Sequence, residues 1–132
     1  MAQRAYEPHP ITPPGPVARL HEQSVRASVR DISGVLQDLL SRRVTAYMVG
    51  VKDAKTINRW ANGEIAVIRD SEVERRLRTA YEISTLLLAV DAPATVKAWF
   101  VSLNPYLDDQ TPAEAIRGGH EREAARAFVA HG

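Results

Sequence analysis

Cysteine is absent from the 132 residues, which removes disulfide frameworks, thiolate zinc sites and cysteine nucleophiles. The absence fits a reducing, cytoplasmic setting. A large excess of charge of either sign is missing as well. Seventeen Lys and Arg face 16 Asp and Glu, a formal net charge of +1, so any contact with nucleic acid has to come from local clustering. The longest apolar run, Leu86 to Val90, is far short of the roughly 20 residues a membrane helix needs. The N-terminus has no apolar h-region, so no secretory signal is expected. His9, His21, His120 and His131 have no metal-ligand spacing among themselves. HExxH, P-loop, GxGxxG and GxSxG patterns do not occur. Asp108-Asp109 reads as a solvated loop pair, and Gly118-Gly119 follows a helical stretch where a phosphate cradle would follow a strand. The expectation is a soluble, cytoplasmic protein that is not an enzyme and holds no metal or cofactor.

Apolar residues make up 45% of the chain, enough for a folded core. Their spacing is helical from Ser24 onward, and the fold class is all-α, a small helical bundle. Residues 1–23 stand apart as a flexible arm. Pro8, Pro10, Pro13, Pro14 and Pro16 fall there, and proline removes backbone donors and fixes φ. Arg4 and Arg19 are the only support for a DNA-probing tail, and an uninvolved leader is the plainer reading.

Ser24 is a candidate cap for a first helix whose face carries Val25, Val29, Ile32, Val35, Leu36, Leu39 and Leu40. A second helix is expected from Arg42 to Val49, with Gly50 supplying a turn. Asp53 suits the N-cap of a third, Ala54 to Ala61, and Asn62-Gly63 suits its end. Ser71 to Val90 reads as a long helix with Val73, Leu77, Tyr81, Ser84 and Leu88 in one stripe. Its last five residues are apolar most of the way round, which predicts a central position. Asp91 and Pro93 suit the start of a helix presenting Val96, Trp99, Phe100 and Leu103. Asn104-Pro105 stops it, and a loop follows from Tyr106 to Gln110. Thr111-Pro112 starts a short helix through Arg117. Glu121 to Ala130 forms the last, with Ala124, Ala125, Phe128 and Val129 on one side.

Val44 to Gly63, VTAYMVGVKDAKTINRWANG, has the texture of a helix-turn-helix. Ala46 is small where a second helix would cross closely, and Gly50 permits a tight turn. Val51 is apolar after it, and Ile57 and Trp60 lie three apart on a buried side. The step from Gly50 to Asp53 is one residue longer than in the usual motif. Arg42, Arg43, Lys52, Lys55, Thr56, Asn58 and Arg59 are the candidate DNA-binding residues. Arginine pairs bidentately with guanine edges and asparagine with adenine, while lysine and a helix N-terminus hold phosphate. A bundle of helices with no DNA role would use the same buried residues. Dimerisation is expected on the DNA reading, because such motifs usually read paired half-sites.

Trp99 to Gly119, WFVSLNPYLDDQTPAEAIRGG, carries a resemblance. An aromatic-ended helix, an Asn-Pro-x-Leu loop, a short polar linker and a Pro-x-x-x-hydrophobic-Arg-x-Gly helix follow in order. The stretch resembles the C-terminal toxin-binding domain of the Xre/MbcA/ParS antitoxins, through Trp99, Phe100, Asn104, Pro105, Leu107, Pro112, Ile116, Arg117 and Gly118. The resemblance covers most of residues 25–132. It implies a helix-turn-helix region over 24–68 and a C-terminal helical toxin-binding domain over 69–132. It also implies, as partners, a toxin of the RES-domain type that consumes or transfers from NAD and the operator DNA of the chain's own promoter, which it represses, with the chain in a homodimer or a higher toxin-antitoxin assembly. The toxin-facing candidates are Trp99, Asn104, Pro105, Leu107, Arg117, Glu121, Phe128, Val129 and Gly132. Phe128 is equally suited to the core, and for Trp99, Phe100 and Leu107 the core is the plainer reading. A free-standing helix-turn-helix regulator with no toxin partner is the alternative.

Overall fold

In the computed structural model, Gly15 and residues 27–131 are described. The rest of the arm, with Ser24, Val25 and Gly132, lies outside the described residues. Seven α-helices form there: α1 (Val29–Leu40), α2 (Arg42–Val49), α3 (Ala54–Ala61), α4 (Ser71–Leu88), α5 (Pro93–Val101), α6 (Pro112–Arg117) and α7 (Glu121–Val129). A single 3-10 turn, Pro105–Leu107, separates α5 from α6. The protein is all-α, as its periodicity implies. The one β feature among the described residues is an isolated antiparallel bridge between Asn104 and Gln110.

The cap of α1 is Ser28, one helical turn beyond the expected Ser24. Its side-chain oxygen accepts from Asp31 N at 3.0 Å, and Asp31 sets negative charge in the first turn, where the helix dipole favours it. The first helix then buries Val29, Ile32, Leu36 and Leu40.

A single residue, Ser41, joins α1 to α2. Its backbone N–H donates to Gln37 O, closing α1, and its hydroxyl accepts from Val44 N at 3.2 Å, capping α2. The connection demands φ 93° and ψ 159°, a region that only glycine enters without strain of about 1–3 kcal/mol. Glycine would forfeit only a few tenths of a kcal/mol of capping, plus some unfolded-chain entropy. Ser41→Gly is therefore expected to raise the thermal midpoint, and Ser41→Ala, which loses the cap and keeps the strain, to lower it. Thermal unfolding of the two variants checks the order. Alanine as stable as glycine would contradict it.

Asp70 caps α4, its carboxylate accepting from Glu72 N and Val73 N at 2.9 and 3.2 Å. This helix ends at Leu88, two residues before the expected Val90. The last amides of the run tighten to i→i−3 bonds, Ala89 N to Leu86 O and Val90 N to Leu87 O. The apolar end is not uniformly central. Leu87 is fully buried, whereas Leu88 and Val90 are exposed.

Asp91 does not cap α5. The N-cap position is Ala92, with no side-chain bond, and Asp91 Oδ2 instead lies 3.0 Å from His131 Nε2. Val96 and Phe100 are buried, but Leu103 is 69% exposed. At Ser102 the backbone turns extended, φ −101° and ψ 149°, before Leu103 can complete the helical face. The turn brings Asn104 N to Gln110 O at 2.9 Å. Thr111 and Glu114 form a reciprocal capping box at the start of α6, which explains why so short a helix has a sharp beginning. On α7 the buried positions are Ala124 and Ala127, so Ala127 takes the place expected of Ala125.

Both regions contribute to one continuous core. It runs from Ile32, Leu36, Ile57 and Trp60 through Leu77 and Ile83 to Phe100 and Ile116. No helix of the described residues is long and apolar enough to cross a membrane.

Candidate nucleic-acid and partner surfaces

The turn between α2 and α3 is built as the spacing of small and apolar residues predicts. Ala46 is buried, which lets the two helices approach. Gly50 is left-handed, φ 90°, and its N–H and that of Val51 both donate to Ala46 O at 3.0 Å. Asp53 accepts from Lys55 N at 2.9 Å and starts α3. Ile57 and Trp60 are buried. Gly63, φ 80°, closes the helix, while Asn62 stays right-handed.

Helix α3 packs on α1 and α2 and turns its polar side outward. Lys52, Lys55 and Arg59 are exposed. Lys55 and Arg59 are four apart and share a face. Thr56 and Asn58 are half-buried, so the cationic side is narrower than the row of polar letters suggests. Arg59 Nε lies 3.5 Å from Glu64 Oε1, both side chains more than half exposed. Arg42 and Arg43 are exposed at the opposite end of α2, about 12 Å of helix from the turn. The Arg42 Nε donates to Gln37 Oε1 at 3.3 Å.

No protein-family model, curated protein or solved structure matches this chain.

The C-terminal candidates are spread over several settings. Trp99 is half-buried, edge-on to Phe100 at 5.0 Å and to His131 at 6.4 Å between centroids. Asn104 caps the 3-10 turn, its Oδ1 accepting from Tyr106 N at 2.9 Å, and Pro105 occupies the first position of that turn with its ring exposed. Leu107 is buried in the core. Glu121 pairs with Arg75 at 3.1 Å, and its side chain is only 12% exposed. Phe128 is half-buried against the core, whereas Val129 is 73% exposed. Gly132 lies outside the described residues. Arg117 reaches back to α2, donating to Tyr47 O, with its guanidinium 4.5 Å from the Tyr47 ring centroid. An open groove of about 510 Å³ runs beside this contact, between Arg43, Val44 and Tyr47 of α2 and Val101, Ala113 and Glu114.

Sequence reasoning missed Tyr47, Glu64 and Arg75, which hold or oppose the candidate residues, and Arg76, which donates to Val49 O at the turn. Arg59 to Glu64 is a five-residue step across a helix end, outside any helical pairing rule. The other contacts join residues far apart in the chain, and no local spacing announces them.

Proposed function

We propose that this protein is an antitoxin of the Xre/MbcA/ParS type that contacts operator DNA through α3 and neutralises a RES-type, NAD-consuming toxin through its C-terminal helices. On this reading it acts as a homodimer on its own promoter and carries out no catalysis itself. The observation that supports the DNA half best is the outward side of α3. Lys55 and Arg59 are exposed there, and Lys52 in the turn just before it, on a helix presented by a tight left-handed turn, where a groove-reading helix carries its cations. Support for the toxin half is the order of residues from Trp99 to Gly118.

Arg117 and Glu121 are already engaged within the chain, with Tyr47 and Arg75. This favours a second reading, a free-standing regulator that keeps the fold and has no toxin partner.

Two measurements separate the possibilities. Recovery of the tagged protein from its native host together with a RES-like protein supports the antitoxin. Recovery without one, with promoter DNA still bound, supports the regulator. For DNA, Arg59→Ala is expected to weaken promoter binding by about 1–3 kcal/mol if it meets a guanine edge. Glu64→Gln, which frees Arg59, is expected to strengthen it. Equal affinities for the wild type and both variants would remove α3 as the reading helix.

A further inference from the structure

We infer that Arg76 and Arg117, both from the C-terminal half, are positioning residues for the helix-turn-helix unit: they hold the last turn of α2 and so set how α3 is presented. The consequence for DNA rests on the reading of α3 given above.

An α-helix ends with four carbonyls that have no partner within it. Ala46 O takes the N–H groups of Gly50 and Val51. The next carbonyl, Tyr47 O, accepts from Arg117 Nη1 of α6. Val49 O accepts from Arg76 Nη1 of α4 at 3.3 Å. Helix α2 has no basic residue in its own last turn, where the helix dipole favours a cation. Both cations therefore come from distant chain, Arg76 lying 27 and Arg117 lying 70 residues beyond the carbonyls they reach.

Each arginine is itself pinned. Arg117 stacks on the Tyr47 ring, a cation–π arrangement that orients the same guanidinium toward the same residue's carbonyl. Arg76 passes so close to the turn that a Cβ on Gly50 would stand 2.9 Å from its Nη1. Its Nε is buried with no hydrogen-bond partner among the described residues. Arg76 thus gives up solvation to sit at this carbonyl. Because α3 is carried by α2 as well as by α1, what holds the end of α2 contributes to the direction in which α3 is presented. Neither arginine has to touch DNA to act this way. By thermodynamic reciprocity, a partner that draws Arg117 away from Tyr47 weakens DNA binding, and DNA weakens that partner by the same factor.

The test uses the full chain, a duplex covering its own promoter, and amide hydrogen exchange. Arg117→Ala is expected to speed exchange at Gly50 and Val51 about tenfold while leaving the α1 amides unchanged. It is expected to weaken the duplex about tenfold with the same salt dependence, because no phosphate contact is lost. Arg117→Lys, which keeps a cation able to donate to Tyr47 O, is expected to restore most of both. Arg43→Ala serves as the contrast, lowering the salt slope by about 1 if it grips phosphate. Wild-type exchange at Gly50 and Val51 in Arg117→Ala, with an unchanged helical spectrum, overturns the inference. A reduced salt slope also overturns it, by making Arg117 a phosphate contact. Should the wild type fail to bind the duplex while Arg117→Ala still speeds exchange, the DNA reading falls and the hold on the turn stands.

Discussion

Phe100→Ala is expected to cost about 3–5 kcal/mol, a large share of the roughly 5–15 kcal/mol available to a domain of this size. Phe100 is the largest of the fully buried side chains. Only it and Val96 are buried on α5, and α5 touches α1, α4 and α6. Alanine would leave a cavity where these four helices converge and would remove the edge-on contact with Trp99, whose roughly 0.5–1.5 kcal/mol is part of that loss. Urea titration checks this through a lower midpoint at unchanged slope. Trp99→Ala makes a useful comparison. Trp99 is half-buried, so its truncation is expected to cost less. A loss below about 1 kcal/mol for Phe100→Ala would mean that α5 does not seat on the core as described.

Gly50→Val is expected to cost about 3 kcal/mol or more through two separable causes. A β-branched residue at φ +90° is strained whatever surrounds it. In addition its Cβ would meet Arg76 Nη1 at 2.9 Å, so Arg76 must leave the Val49 carbonyl. Gly119→Val separates the two. Its φ is +85° and nothing lies within 4 Å of a Cβ there, so it carries the backbone strain alone. The difference between the two variants in chemical unfolding measures what Arg76 contributes at the turn. Equal losses would show that Arg76 can retreat without penalty.

Most of the helices could be read from the chain because their signals are local. Asp53 and the Thr111–Glu114 pair cap within three residues, and Gly50 and Gly63 sit where left-handed backbone is needed. Ile57 and Trp60 take the buried side that a step of three implies. The misplacements share a different cause. Ser24 and Ser28 are one turn apart and look alike to a periodic pattern, so only the extended backbone and the Asp31 bond at Ser28 distinguish them. Asp91 has the chemistry of a cap, yet the chain's other end, at His131, claims it. Leu103 continues the helical spacing of α5, but the pairing of Asn104 with Gln110 turns the backbone first. On the candidate surfaces the same limit applies. The exposure of Lys55 and Arg59 follows from α3 alone, whereas the contacts of Arg117 and Glu121 depend on how distant helices dock.

The small buried side of α7 has a consequence for how the molecule opens. Ala124 and Ala127 offer little apolar area, and Phe128 is only half-buried. Much of the remaining attachment comes from the Arg75–Glu121 ion pair at one end and the Asp91–His131 contact at the other. Sub-global opening is drawn from segments with few buried apolar contacts, so the α7 amides are expected to exchange faster than those of α1, α2 and α3, with hydrogen exchange as the check. Detachment uncovers the surface of α4 that faces it while α1, α2 and α3 remain assembled. Faster exchange confined to α7 would show a state in which the last helix is free and the turn between α2 and α3 is intact.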